Sequence, residues 1–414
     1  MNTPSSSKKR PIYLYPPGVI CAPGRNRREF LRAAREGDQR GLKKIFAGDK
    51  FFPAGLIEGN LPEVSGDLGP DPGKYTFQTR LIRLTDAVLE QIRDDVAYVI
   101  GRFGPNRIGV CAGSCDNGSE GSRFAHAAFF AGAFPQDYAL KFQSAGYISQ
   151  YIARKFRITG PAVTISLACA SSAGAIAKAG ELIRAGLCDA VIAGGADILS
   201  QTVLLGFRAL ETIADTPANP FSKNRRGLTL GEAGAFFVLS KEKREKIPGI
   251  ALLGAGESSD AYHLTAPHPN GKGAIQAMNQ ALAQAGLPPE AVDYLNLHGT
   301  GTLLNDPMEA QAVAAIFPHY LDRPIVSSTK PITGHTLGAA GALELALCWT
   351  ILADTPGSGA GLPIHCWDGV RDEALPELHF ADSTPGPANP SVCMSNSFAF
   401  GGCNVSLILG KSAE

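Results

Sequence analysis

One cysteine and two histidines are the residues with most chemistry to offer. Cys169 ends the β-rich run AVTISLAC and is followed at once by the small-residue helix pattern ASSAGAIAKAG. Its thiol therefore belongs at a helix N-terminus, where the positive end of the peptide dipole favours thiolate, the nucleophilic form. A cysteine in such a place is otherwise a small buried packing residue. His298 closes the strand-like DYLNL and leads into GTGT, a turn whose glycines let backbone and hydroxyls approach a ligand. It is either a proton carrier and hydrogen-bond donor or a satisfied core residue. His335 sits in STKPITGHTLGAAGA, five residues after Lys330 and nine before Glu344. If buried, that lysine and glutamate must answer one another's charge; if exposed, they are an ordinary surface ion pair.

The elements that must position these residues alternate in type. Residues 107–113, 162–169, 189–197, 235–240, 293–299, 324–329 and 404–410 read as buried strands. Helical patterns lie between many of them, such as RLIRLTDAVLEQIRDDVAYVI (80–100) and GAIQAMNQALAQAGL. The alternation predicts an α/β protein with covered sheets. Two stretches also resemble each other: SLACASSAGAIAKAGELIRAG and TGHTLGAAGALELALCWTILA each run from a strand through a reactive-looking loop into a helix containing AGA. Helices so rich in Gly and Ala can lie tightly between sheets because their backbones approach closely, at some cost in intrinsic propensity. This repeat predicts a duplicated α/β unit, residues 11–249 with the cysteine and 250–414 with both histidines. The charged KEKREKIPG (241–249) is the junction. Residues 1–10 are polar and expected to be disordered.

Composition excludes several classes. Basic and acidic residues number 38 each, so no net charge draws the chain to nucleic acid or an anionic membrane, and an acidic partner must be met by a local patch. With 44% hydrophobic residues in 414 there is ample material for a core. No apolar run is long enough to span a bilayer, and MNTPSSSKKR is not followed by a signal-peptide core, so a cytoplasmic protein is expected. The nine cysteines form no CxxC pair or His/Cys cluster, and their odd number argues against a closed disulfide framework. No metal is implied.

Six motifs carry a family resemblance over nearly the whole chain: ACASSA, CDAVIAGGAD, NPFSKNRRGLTLGEAGAFFVL, LHGTGT with NDPMEA, SSTKPITGHTLGAAGA and SNSFAFGGCN. The sequence resembles the β-ketoacyl-acyl carrier protein synthases of the thiolase superfamily. GDQRGL, NLHGT, LNDPMEA, ALCW and WDG look most like the aryl polyene branch. The resemblance implies a thiolase fold, two α/β halves in five αβαβα layers. It also implies a decarboxylative Claisen condensation between an acyl group on Cys169 and a malonyl unit borne on acyl carrier protein, with no bound cofactor.

Position by position, Cys169 would accept the acyl group, His298 and His335 would support decarboxylation, Lys330 would stand nearby, and Glu344 would balance its charge. Backbone N–H groups of Cys169 and Phe400 would form the oxyanion hole. Thr300 and Thr302 match the hydroxyls that hold the pantetheine arm, although Gly301 replaces the usual serine between them. Phe398 and Phe400 match the gate of the glycine-rich loop, in which Ala399 and Cys403 replace the usual glycine and threonine. Arg80 and Arg83, three apart on one helical face, would receive the acidic carrier. The resemblance implies a dimer, either with a second copy or with a different, chain-length-factor-like subunit.

Two other functions compete with this one. A degradative thiolase shares the fold but would use a second cysteine near the C-terminus, for which Cys393 and Cys403 qualify; the HGTGT and KPITGH segments speak for a ketosynthase. A non-catalytic chain-length-factor-like subunit would typically lack the nucleophile, which this chain keeps.

Overall fold

The structure, a computed structural model, describes residues 10–64, 79–116, 118–133, 144, 146–319, 324–354, 361–382 and 390–412; the N-terminal residues 1–9, expected to be disordered, lie outside them. The main sheet has eleven strands. On one side, Ala162–Ile165, Ile108–Gly113 and Ala190–Asp197 run parallel, and Ala233–Ser240 follows antiparallel. Gly18–Cys21 and Tyr13–Leu14 add to it antiparallel. On the other side, Ile325–Ser327, Tyr294–Asn296 and Val392–Phe398 run parallel, then Cys403–Lys411 and Ile250–Ser259 follow antiparallel. Order and direction are the same in both sets. The two-residue strand Tyr13–Leu14 joins them, because Tyr13 pairs with Ser240 on one side and Ala251 on the other.

The layers follow from where apolar residues fall. Helix Ala340–Ala353 is buried from Ala340 through Leu352, the pattern of a helix with sheet on both sides. It packs beside Ser171–Arg184 in a core shared by both strand sets. Gly341 permits this contact, since a Cβ there would lie 2.6 Å from the Ala173 Cβ. Helices Arg80–Glu90, Arg93–Phe103 and Tyr147–Lys155 cover one outer face. Lys272–Ala285 and Asn305–Ile316 cover the other. The result is the αβαβα thiolase architecture.

Two details depart from the sequence reading. The pattern over 80–100 is two helices, ending at Glu90 and restarting at Arg93. The backbone leaves helical geometry at Ile92 (φ −112°, ψ 11°), and beside it the Gln91 side-chain amide accepts from Val19 N and donates to the Val19 and Arg25 carbonyls. A hairpin of Leu42–Ala47 and Lys50–Gly55, which pairs with Leu230–Gly231 as a small second sheet, had no recognisable signal.

Candidate active site

The duplication leads to the site. In each half a single turn of 3₁₀ helix, Ala168–Ala170 or Leu337–Ala339, feeds a central helix, and each turn opens on a non-glycine residue with positive φ, Ala168 at 45° and Leu337 at 55°. Cys169 and Gly338 are therefore counterparts. Gly338 must lack a side chain because a Cβ would meet Asp197 Oδ2 at 2.5 Å, and its N–H donates to that same oxygen over 2.6 Å. Ser171 secures the cysteine turn: its Oγ donates to Ala168 O at 2.6 Å and accepts from Leu167 N at 2.9 Å.

Cys169 is 6% exposed, at the floor of a cavity of about 260 Å³. Its Sγ lies 2.9 Å from His335 Nε2, and the Phe400 backbone N–H points at the same sulfur. The expected thiolate bias is corrected here. Burial pushes the thiol up to about 12, with the charge of Lys330 the main influence in the other direction. Desolvation of an anion works against the preference expected from the helix end and favours the thiol.

His335 is held by its backbone. Its N–H donates to Thr229 O at 2.6 Å and its carbonyl accepts from Gly231 N at 2.9 Å. His298 stands edge-on to it, ring centroids 5.3 Å apart at 87°, with Phe398 beside them. Burial holds both imidazoles well below their ordinary range, and the charge of Lys330 lowers them further. Both are therefore neutral, each with one N–H to donate. Behind them Lys330 Nζ donates to Glu344 Oε1 over 2.6 Å, with both side chains buried.

Residues the sequence reading did not single out hold the turn after His298. Glu309 accepts from His298 N and Gly299 N, each at 2.7 Å, and Asp306 accepts from Phe221 N, Thr300 N and Gly301 N. Burial raises Glu309 to about 7. Asp197, raised by burial to about 6, collects Ser114 Oγ and the Cys115, Asp116 and Gly338 backbone N–H groups. Buried His365 accepts from Ser328 N at Nδ1 and, with its proton on Nε2, donates to Pro220 O. The only signal for the acids was their place in the NDPMEA and GGAD motifs.

The cavity is lined by Cys169, His298, His335, Thr300, Thr302, Phe398 and Phe400, and Lys330 and Glu344 stand behind its wall. Thr300 Oγ1 and Thr302 Oγ1 are 2.9 Å apart. Phe400 stacks on Phe207 with centroids 5.8 Å apart. The loop after it turns through Gly401 and Gly402, both with positive φ. Neither Cys393 nor Cys403 lines the cavity, so neither sits where a thiolase's second cysteine would act. Arg80 and Arg83 do not line it either. Arg80 is bound to buried Glu232 and to Ile57 O, and Arg83 reaches Glu63 at 3.1 Å. Among the described residues no group of three His, Cys, Asp or Glu could hold a metal ion, and no helix is long and apolar enough to cross a membrane.

Comparison with known proteins agrees with this geometry. The beta-ketoacyl synthase N-terminal domain model matches residues 76–245 and the C-terminal domain model matches 250–355. The 3-oxoacyl-[acyl-carrier-protein] synthase 2 of Coxiella burnetii is 30% identical, over 98% of this chain and 99% of its own. The chain belongs to the β-ketoacyl synthase family. Among solved structures, this ketosynthase is similar to a chain of the ketosynthase ApeO in complex with its chain length factor ApeC from Xenorhabdus doucetiae. Identity there is 39% over 99% of this chain and 100% of that one, with a TM-score of 0.87. It is also similar to the ishigamide ketosynthase/chain length factor, at 26% identity over 98% and 100% of the two chains, with a TM-score of 0.82.

Proposed function

We propose that this ketosynthase elongates an aryl polyene or fatty acyl chain by decarboxylative condensation, with Cys169, His298 and His335 as its catalytic residues. The observation that carries the assignment is the 2.9 Å approach of His335 Nε2 to Cys169 Sγ, with His298 beside it in the same cavity. In the first half-reaction the sulfur attacks an acyl thioester, its proton leaves toward His335, and the carrier thiol departs. The tetrahedral oxyanion is met by the backbone N–H groups of Cys169 and Phe400. In the second, malonyl thioester loses carbon dioxide, and two neutral imidazoles donate to the enolate oxygen. The enolate carbon then attacks acyl-Cys169, the carbon–sulfur bond breaks, and the departing sulfur takes up a proton from solvent, which restores the thiol. Burial keeps both imidazoles neutral, and the charge of Lys330, balanced by Glu344, adds to that effect. Thr300 and Thr302 hold the pantetheine amides, while Phe398 and Phe400 gate the cavity.

The acyl groups arrive on acyl carrier protein, and the protein works as a dimer in the cytoplasm. The 39% identity to a chain of the ApeO–ApeC complex supports a chain-length-factor-like subunit as the partner and the aryl polyene pathway as the setting. The two halves, 11–249 and 250–414, are the structural units of the reading. An acidic carrier would meet the helix face that carries Arg80 and Arg83, of which Arg80 is engaged by Glu232 and Arg83 reaches Glu63. Mass spectrometry after incubation with a panel of acyl carrier protein thioesters tests the reading directly. Acyl mass on Cys169, followed by malonyl-dependent release of carbon dioxide, is expected; acylation elsewhere, or none, would overturn it.

A further inference from the structure

Few charged side chains line the cavity. Arg226 is the only lysine or arginine among the described residues that line it. The same residue lines a separate surface cleft with Lys50 and Arg208, so it stands where cavity and surface meet. It is exposed, and its guanidinium has no ion-pair or hydrogen-bond partner among the described residues. Its arginine neighbours are committed, Arg225 to Asp372 at 2.6 Å and Arg208 to Asp49, while Lys50 lines the surface cleft but not the cavity.

Backbone geometry ties this residue to the threonine turn. Gly227 N donates to Gly301 O over 2.9 Å, which fixes the residue after Arg226 directly to the segment between Thr300 and Thr302. Gly227 has φ 142°, and a Cβ there would lie 2.5 Å from Thr212 O, so the junction leaves no room for slippage. Two acids also line the cavity. Asp260 is occupied by His268 N and Asn404 Nδ2, but Glu211 shares the rim with Arg226. An anion entering here meets one unanswered carboxylate and one unanswered guanidinium.

We infer that Arg226 binds the phosphate of the phosphopantetheine arm and makes that phosphate a specificity determinant. The inference rests on the ketosynthase reading above. With the thioester at Cys169 and the amides at Thr300 and Thr302, the far end of the arm, its phosphate, comes to the rim. A guanidinium fork matches two phosphate oxygens, and its charge offsets Glu211.

The test uses two soluble substrates that differ only in the phosphate, malonyl-phosphopantetheine and malonyl-pantetheine, offered to enzyme already acylated on Cys169. Wild-type enzyme favours the phosphorylated compound roughly five- to tenfold in kcat/KM, the range for a solvent-accessible charge-assisted contact. That ratio shrinks as salt rises. Arg226→Ala brings it close to one, and Arg226→Lys retains part of it. A wild-type ratio near one, or a full ratio surviving in Arg226→Ala, overturns the inference. Failure of both compounds to give product while no acyl mass appears on Cys169 would instead bring down the ketosynthase reading, and this inference with it.

Discussion

Lys330 Nζ donates to Glu344 Oε1 over 2.6 Å at a depth where neither side chain meets solvent. The pair is a charge balance behind the histidines. Lys330→Ala leaves a buried carboxylate unanswered and should cost about 3 to 5 kcal/mol. The double variant Lys330→Met/Glu344→Leu should recover most of that stability yet stay impaired in condensation, since the cationic influence on His298 and His335 is gone. Urea unfolding midpoints read the first effect and turnover reads the second.

Cys169→Ala should take up no acyl group and give no condensation, while its unfolding midpoint stays near that of the wild type, because the loss is one sulfur atom at a cavity floor. Intact-mass spectrometry with carrier thioesters checks it. Appreciable turnover by the purified variant would sink the mechanism.

His298→Ala and His335→Ala should each slow carbon dioxide release from malonyl thioester by about 10²- to 10³-fold, the usual loss for one donor to an oxyanion. Acyl transfer to Cys169 should suffer less in His298→Ala than in His335→Ala, because only His335 touches the sulfur. Equal losses in both half-reactions for both variants would contradict this division of labour.

These predictions lean on residues that were legible before any coordinates, and the reason is local. Cys169 and His298 sit just past the end of a strand, His335 sits between a short helix and the turn that feeds a central helix, and each lies inside a long motif. Asp306, Glu309 and Asp197 were not singled out, because acceptance of backbone N–H groups leaves no periodic trace. Depth was equally invisible. The helix end beside Cys169 suggested a thiolate, but the burial that reverses the preference is supplied by segments far away in the chain. Likewise the helical pattern of 80–100 runs unbroken through Gln91, whose partners Val19 and Arg25 are 72 and 66 residues distant.

Glu309 gives a pH prediction. Burial raises it from the ordinary 4.5 to about 7. Between those values the folded state keeps a proton that the unfolded chain loses, so this group removes stability as pH rises through the window. Glu309→Gln abolishes that contribution. Relative to the variant, the wild type should therefore lose stability from about pH 4.5 to 7, by roughly 3 kcal/mol in total. A stability difference that does not vary with pH would show that Glu309 titrates normally.

Arg80→Glu and Arg83→Glu should differ in kind. The first places two carboxylates together at Glu232 and should lower the unfolding midpoint, with equal activity losses for carrier-bound and carrier-free substrates. The second breaks an exposed pair with Glu63, worth about 0 to 1 kcal/mol, and should slow carrier-bound substrates selectively. Comparing the two substrate types separates them.

The short strand Tyr13–Leu14 has a consequence for how the chain is assembled. It pairs with Ser240 and Ala251, and Leu14 O accepts from Trp349 Nε1, 335 residues further on. During synthesis this stretch leaves the ribosome long before any of these partners exist, so its docking is a late, non-local event. Until then the strand sets on either side of it have no seam, and the Leu239–Ser240 end of one strand and the Ala251 end of the other present open edges on which a neighbouring chain's strand could lodge. Slow or crowded expression should therefore trap intermolecular strand exchange at this seam before it harms the cavity.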